Sequence, residues 1–156
     1  MTDESSPRPR VLFLCTGNSC RSQMAEGFAR MILADAIEAH SAGIAPVGVN
    51  PRAARVMAEA GFSIDDRRSK SVDELRDVRF DCVITVCGDA DERCPAPIRG
   101  VPRVHHGFAD PPRLAADCAT EAEALVHYRR VRDEVRRWIE CEVLDEIAKA
   151  RSGENR

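Results

Sequence analysis

The stretch Val11-Leu12-Phe13-Leu14-Cys15-Thr16-Gly17-Asn18-Ser19-Cys20-Arg21-Ser22 joins a short apolar run to a loop of small polar residues that closes on Arg-Ser. Four apolar residues bounded by Gly, Asn and Ser predict a buried strand. Ser22 is a good N-cap, and Met24, Phe28, Met31 and Ile32 follow at helical spacing, so a helix is expected to start there. Gly27 inside it is mildly unfavourable and permits close packing. A loop that opens a helix offers free backbone N–H groups and the positive dipole end, which cradle an anion and favour the thiolate of a cysteine placed there. Cys15 and Arg21 stand six positions apart around this loop, and the arginine adds a planar fork for two oxygens. Thiolate attack on a bound tetrahedral oxyanion is the chemistry these residues point to.

Spacing alone does not settle this, because Cys87 and Arg93 are also six positions apart. Asp89, Asp91 and Glu92 lie between them and would repel an oxyanion, whereas no acid lies between Cys15 and Arg21. The chain of 156 residues fits one domain. Apolar residues at 44%, charged residues at 31% and a net charge of -3 are ordinary for a globular protein and give no basic footprint for nucleic acid or membrane surface. The apolar run after residue 10 is too short for a signal-peptide core, and a cytoplasmic location is expected. Seven cysteines in a reducing compartment point to catalysis, metal binding or redox exchange rather than a disulfide framework. The four histidines show no ligand spacing with the cysteines, so no metal is expected.

Further along, 37–42 reads as a second strand, and Asn50-Pro51 opens a helix that Gly61 stops. Ser71 and Glu74 have capping-box spacing and start a short helix. Phe80 to Val86 reads as a strand, and Val101 to His105 as another limited by Pro102. From Thr120 to about Lys149 the pattern predicts one long amphipathic helix. Residues 1–9 are expected to be a flexible segment, 10–150 the domain and 151–156 a frayed end. Alternating strands and helices predict an α/β domain with a mainly parallel sheet, whose ligands gather at the carboxyl ends of the strands.

CTGNSCRSQMAEG, SAGI, GVNPRA, VITVCGDADERCP, GFADP and VRDEV, in this order over residues 10–147, resemble the low-molecular-weight protein tyrosine phosphatase superfamily, and most closely its thioredoxin-coupled arsenate reductases. The resemblance implies a four-stranded parallel twisted sheet flanked by helices. It also implies that Thr16, Gly17, Asn18, Ser19, Cys20, Arg21 and Ser22 surround the substrate, that Cys15 is the nucleophile with its thiolate steadied by Ser22, and that Asp110 is the general acid. Without it, Asp110-Pro111 would read as a turn opener. Cys87 and Cys94 are separated by six residues, which fold back at little cost, so a reversible disulfide is feasible. The family motif around them implies a relay: Cys15 attacks arsenate, Cys87 attacks Cys15, and Cys94 carries the disulfide to thioredoxin, the electron donor, with no bound cofactor.

Cys20 is expected either to line the loop or to protect Cys15, and Cys82, Cys118 and Cys141 are read as packing or chance. Some members of this branch bind a monovalent cation through an Asn, a Glu, a Ser and an Asp; Asn18, Glu26 and Ser41 match, but the fourth position falls on Lys70, so no potassium requirement is expected. His105-His106 reads as solvated or packing histidines, and the segment 112–123 is longer than in compact relatives. A tyrosine phosphatase is the competing enzyme, but Pro112 stands where that branch carries a tyrosine after Asp-Pro; a non-catalytic oxyanion or redox sensor is the competing non-enzyme. A monomer is expected.

Overall fold

The computed structural model describes residues 7–153; most of the expected flexible start and the last three residues of the expected frayed end lie outside that range. Four strands, β1 (Arg10–Cys15), β2 (Glu38–Gly43), β3 (Cys82–Thr85) and β4 (Arg103–His105), form one parallel sheet in the order β2-β1-β3-β4. The helices are α1 (Arg21–Ile32), α2 (Pro51–Glu59), α3 (Gly88–Glu92), α4 (Pro111–Ala115), α5 (Glu121–Cys141) and α6 (Val143–Ser152). This is the α/β architecture expected, with helices flanking the sheet.

β1 is buried at every residue except Arg10, as a central parallel strand must be, because its neighbours and the covering helices leave no face in water. α1 packs on β1 and β2, α5 packs on α1, α2 and α4, and α6 packs on β3 and β4. Phe13 of β1 meets Trp138 of α5 edge to face at 5.9 Å, tying sheet and helix layers together. Gly27 of α1 permits the close approach of α2, since a Cβ there would stand 3.0 Å from both Met57 and Ile64. Asn50 caps α2 by accepting from the amides of Arg52 and Ala53, with Pro51 at the first helical position and Gly61 in the left-handed conformation beyond its end.

Three expectations need correction. Ser22 does not cap α1: the N-cap is Cys20, which makes no side-chain cap hydrogen bond, because the Ser22 hydroxyl is engaged with Cys15. Met31, assigned to the buried face of α1, is 66% exposed, so the apolar stripe ends at Phe28 and Ala29. The long C-terminal helix breaks at Glu142 into α5 and α6, a break that no Gly or Pro announces; it lets Val143, Ile147 and Ala150 bury against the sheet where a straight continuation of α5 could not follow. Ser71 closes a full capping box, but on a 3-10 turn over Val72–Leu75. Thr120 caps α5, while its partner Glu123 reaches back to the amide of Ala119.

Candidate active site

β1 ends at Cys15, β3 leads into Cys87 and β4 into the segment 106–110, so three strand ends deliver their chemistry to one edge of the sheet. The loop between β1 and α1 is built around Asn18, which adopts a left-handed φ of 47° that Asn tolerates better than most residues. Its amide donates to Cys15 Sγ at 3.2 Å, and the Ser22 hydroxyl lies 2.8 Å from the same sulfur. Asn18 Nδ2 donates to Ser22 Oγ at 2.9 Å, which leaves the serine proton free to point at Cys15 Sγ. Gly43 makes the tight turn possible: a Cβ there would sit 2.7 Å from the Thr16 carbonyl oxygen and 2.8 Å from the Asn18 nitrogen.

Cys15, Thr16, Gly17, Ser19, Cys20 and Arg21 line a cavity of about 210 Å³, with Val47, Asp110 and Pro112 at its other side. Arg21 is held by donating to the Phe108 carbonyl oxygen at 3.0 Å, and its other terminal nitrogen is 3.6 Å from Asp110 Oδ1. Cys15, Arg21 and Asp110, expected to act as nucleophile, oxyanion anchor and general acid, are thereby brought together. Cys20 lines the cavity but is itself buried, which pushes its thiol well above the usual range and keeps it neutral. Asn18 and Ser22 are fully buried and bonded to each other beneath Cys15 Sγ.

Cys87 caps the short helix α3, its sulfur accepting from the Ala90 amide at 3.4 Å, and it lies 3.4 Å from Thr16 Oγ1. The Thr16 hydroxyl donates to Asp89 of α3 at 2.6 Å, a direct tie between the oxyanion loop and the Cys87 segment that no sequence pattern announces. Asp89 also binds Arg93 through both oxygens, at 2.8 and 2.7 Å. Cys94 is buried, as is Cys87, and both carry free thiols; Cys94 lines a separate cleft with Arg93, Arg99 and Arg103. Cys82 is packed in β3, its thiol pushed up to about 12 by burial, while Cys118 is half-buried and Cys141 exposed.

Glu26 is 1% exposed and takes Arg67 at 2.5 Å and Arg30 at 2.8 Å on one oxygen; on the other it accepts the Ser41 hydroxyl and has Lys70 Nζ at 3.8 Å. Asn18 Oδ1 receives Gln23 Nε2 at 3.1 Å and the Lys70 amide at 3.0 Å, and its Nδ2 donates to Ser41 Oγ at 2.9 Å. Every oxygen that a monovalent cation would need here already receives a donor or an ammonium, so these residues do not fit one. Burial lowers the Lys70 amine below its usual range, with Glu26 opposing that shift. Among the described residues no cluster of three or more His, Cys, Asp or Glu side chains could hold a metal ion, and no helix is long and apolar enough to cross a membrane.

The comparisons with known proteins agree with this geometry. The arsenate reductases of Halalkalibacterium halodurans and Bacillus subtilis are 45% and 46% identical to the chain over 125 residues, covering 80% of it and 88% of each relative. The solved structure of an arsenate reductase in the phosphate binding state superposes with a TM-score of 0.69 at 30% identity, over 91% of this chain and 98% of that one. The low molecular weight protein tyrosine phosphatase from T. tengcongensis superposes with a TM-score of 0.67 at 25% identity, over 88% and 99%. Residues 10–140 match the low molecular weight phosphotyrosine protein phosphatase family, and the chain belongs to it, on the side of its arsenate reductases.

Proposed function

We propose that this protein reduces arsenate to arsenite in the cytoplasm through a relay of three cysteines that thioredoxin resets. The observation that carries the reading is Thr16 Oγ1 at 3.4 Å from Cys87 Sγ: a second thiol is packed against the oxyanion loop, where hydrolysis of a phosphate ester would need only Cys15. Cys15 Sγ, facing the Asn18 amide and the Ser22 hydroxyl, attacks arsenic; Asp110 gives its proton to the departing oxygen, which leaves as water. Arg21 and the loop amides hold the remaining oxygens. The Cys87 thiolate then attacks Cys15 Sγ, the S–As bond breaks, and its electron pair stays on arsenic, which leaves as arsenite. The Cys94 thiolate next attacks Cys87 Sγ and releases the Cys15 thiolate, so the two-electron oxidation of the protein is held as a Cys87–Cys94 disulfide, to which the thioredoxin dithiol returns two electrons by exchange.

Arsenate-dependent oxidation of NADPH in the presence of thioredoxin and thioredoxin reductase tests the scheme. Turnover should vanish in Cys15→Ser, Cys87→Ser and Cys94→Ser. Multiple turnover by Cys87→Ser with thioredoxin as sole reductant would overturn the relay. Hydrolysis of an aryl phosphate, measured in parallel, should be weak, dependent on Cys15 and indifferent to Cys87 and Cys94, because the same cradle accepts phosphate.

A further inference from the structure

The segment that carries Asp110 is anchored by residues far from the oxyanion loop. His106 stacks on Trp138 with ring centroids 4.9 Å apart and 32° between planes, and on Phe108 at 5.0 Å and 31°. Phe108 in turn meets Trp138 at 5.3 Å, and its carbonyl oxygen is the one that holds Arg21. One residue closes this stack from outside: Glu146 of α6 lies 3.0 Å from His106 Nδ1 through one oxygen and accepts from Trp138 Nε1 at 2.8 Å through the other. The match to the family ends at residue 140, so α6, which begins at Val143, lies beyond it.

We propose that α6 is a positioning element for the general acid: Glu146 clamps His106 against Trp138, which fixes Phe108 and with it the approach of Asp110 to the oxyanion loop. The inference rests on the reading of Asp110 as the acid. Glu146 bonds α6 to both His106 and Trp138, and among the described residues the backbone ties of this loop to the sheet are His106 N to Thr85 O at 2.9 Å and Phe108 N to Val86 O at 3.1 Å. General acids contribute a factor of about 10²–10⁴, and small displacements of a catalytic group forfeit part of it.

Amide hydrogen exchange and steady-state kinetics of Glu146→Ala test this, with Glu146→Gln, which keeps an acceptor for Trp138, as the milder variant should the first fail to fold. The Phe108 amide should exchange at least about fivefold faster than in wild type while β1 is unchanged. The kcat for arsenate should fall about five- to tenfold with KM within twofold. Placed in an Asp110→Asn background, the same substitution should cost nothing further, which a merely structural role would not produce. Unchanged exchange at Phe108, or an equal loss of kcat in both backgrounds, would overturn the proposal. If the wild type itself turned over no arsenate, the functional reading would fail, and the exchange arm, with aryl phosphate hydrolysis for the kinetic one, would still decide the clamp.

Discussion

At the mouth of α1 the Ser22 hydroxyl has two possible partners, the first amides of the helix and the Cys15 sulfur. A serine at the mouth of a helix reads as a cap, and the N-cap preference is real, yet Asn18 Nδ2 fills one lone pair of its hydroxyl and turns the proton to Cys15 Sγ at 2.8 Å. A hydrogen bond to a charged group contributes about 1.5–3 kcal/mol. Ser22→Ala should therefore lower kcat for arsenate about ten- to hundredfold while leaving the melting temperature nearly unchanged, as no helix cap is lost; a large drop in melting temperature with kcat intact would assign the hydroxyl to the helix instead. Lys70 is the opposite case, a residue whose placement its neighbours had already suggested. With its ammonium 3.8 Å from Glu26, and with Arg67 and Arg30 on the same carboxylate, replacing sodium by potassium at fixed ionic strength should leave kcat/KM for arsenate unchanged. A several-fold rise with potassium would count against this.

Among the elements, α3 cannot stand alone. Five residues are too few to hold a helix in water, and this one is kept in place by Asp89 on Thr16 and by Asp91 on Thr85 Oγ1 at 3.1 Å and on Arg103 at 3.5 Å. Asp89→Ala removes both the tie to Thr16 and the Arg93 pair. Residues 87–94 should then exchange their amides faster, and Cys87 and Cys94, 7% and 8% exposed in wild type, should be alkylated several-fold faster under reducing conditions; unchanged labelling would mean that Asp91 alone secures α3. β1, α1, α2 and the strand leading to Cys87 could be read from periodicity, Asn50-Pro51 and β-branched runs, because burial and local propensity agree there. The break at Glu142 could not, since a continuous charged and apolar pattern runs through it and only the position of β3 and β4 bends the chain. The Thr16–Asp89 tie and the Glu146 clamp were equally invisible, being contacts between residues 73 and 40 positions apart.

For the molecule as a whole, the buried cysteines Cys20 and Cys82 set a limit on stability in alkali. Cys82 is fully buried in β3 and its thiol is pushed from 9.0 to about 12, while burial raises Cys20 further. Above about pH 9 the unfolded chain loses these protons and the folded chain keeps them, so the unfolded state binds fewer protons and stability falls as pH rises, by about 1.4 kcal/mol per pH unit for each thiol. Below pH 9 both states are protonated and neither thiol contributes a slope. Lys70 acts in the other direction: its lowered amine sheds a proton in the folded state while the unfolded chain still holds one, so it adds stability as pH rises towards its ordinary value. The two effects separate in denaturant unfolding from pH 8 to 10.5 under reducing conditions, comparing wild type with Cys82→Ala. The variant should be less stable at pH 8, through lost packing, and the difference should shrink by about 1 kcal/mol or more per unit above pH 9. A difference that stays constant across that range would show that Cys82 ionises in the fold as readily as in water.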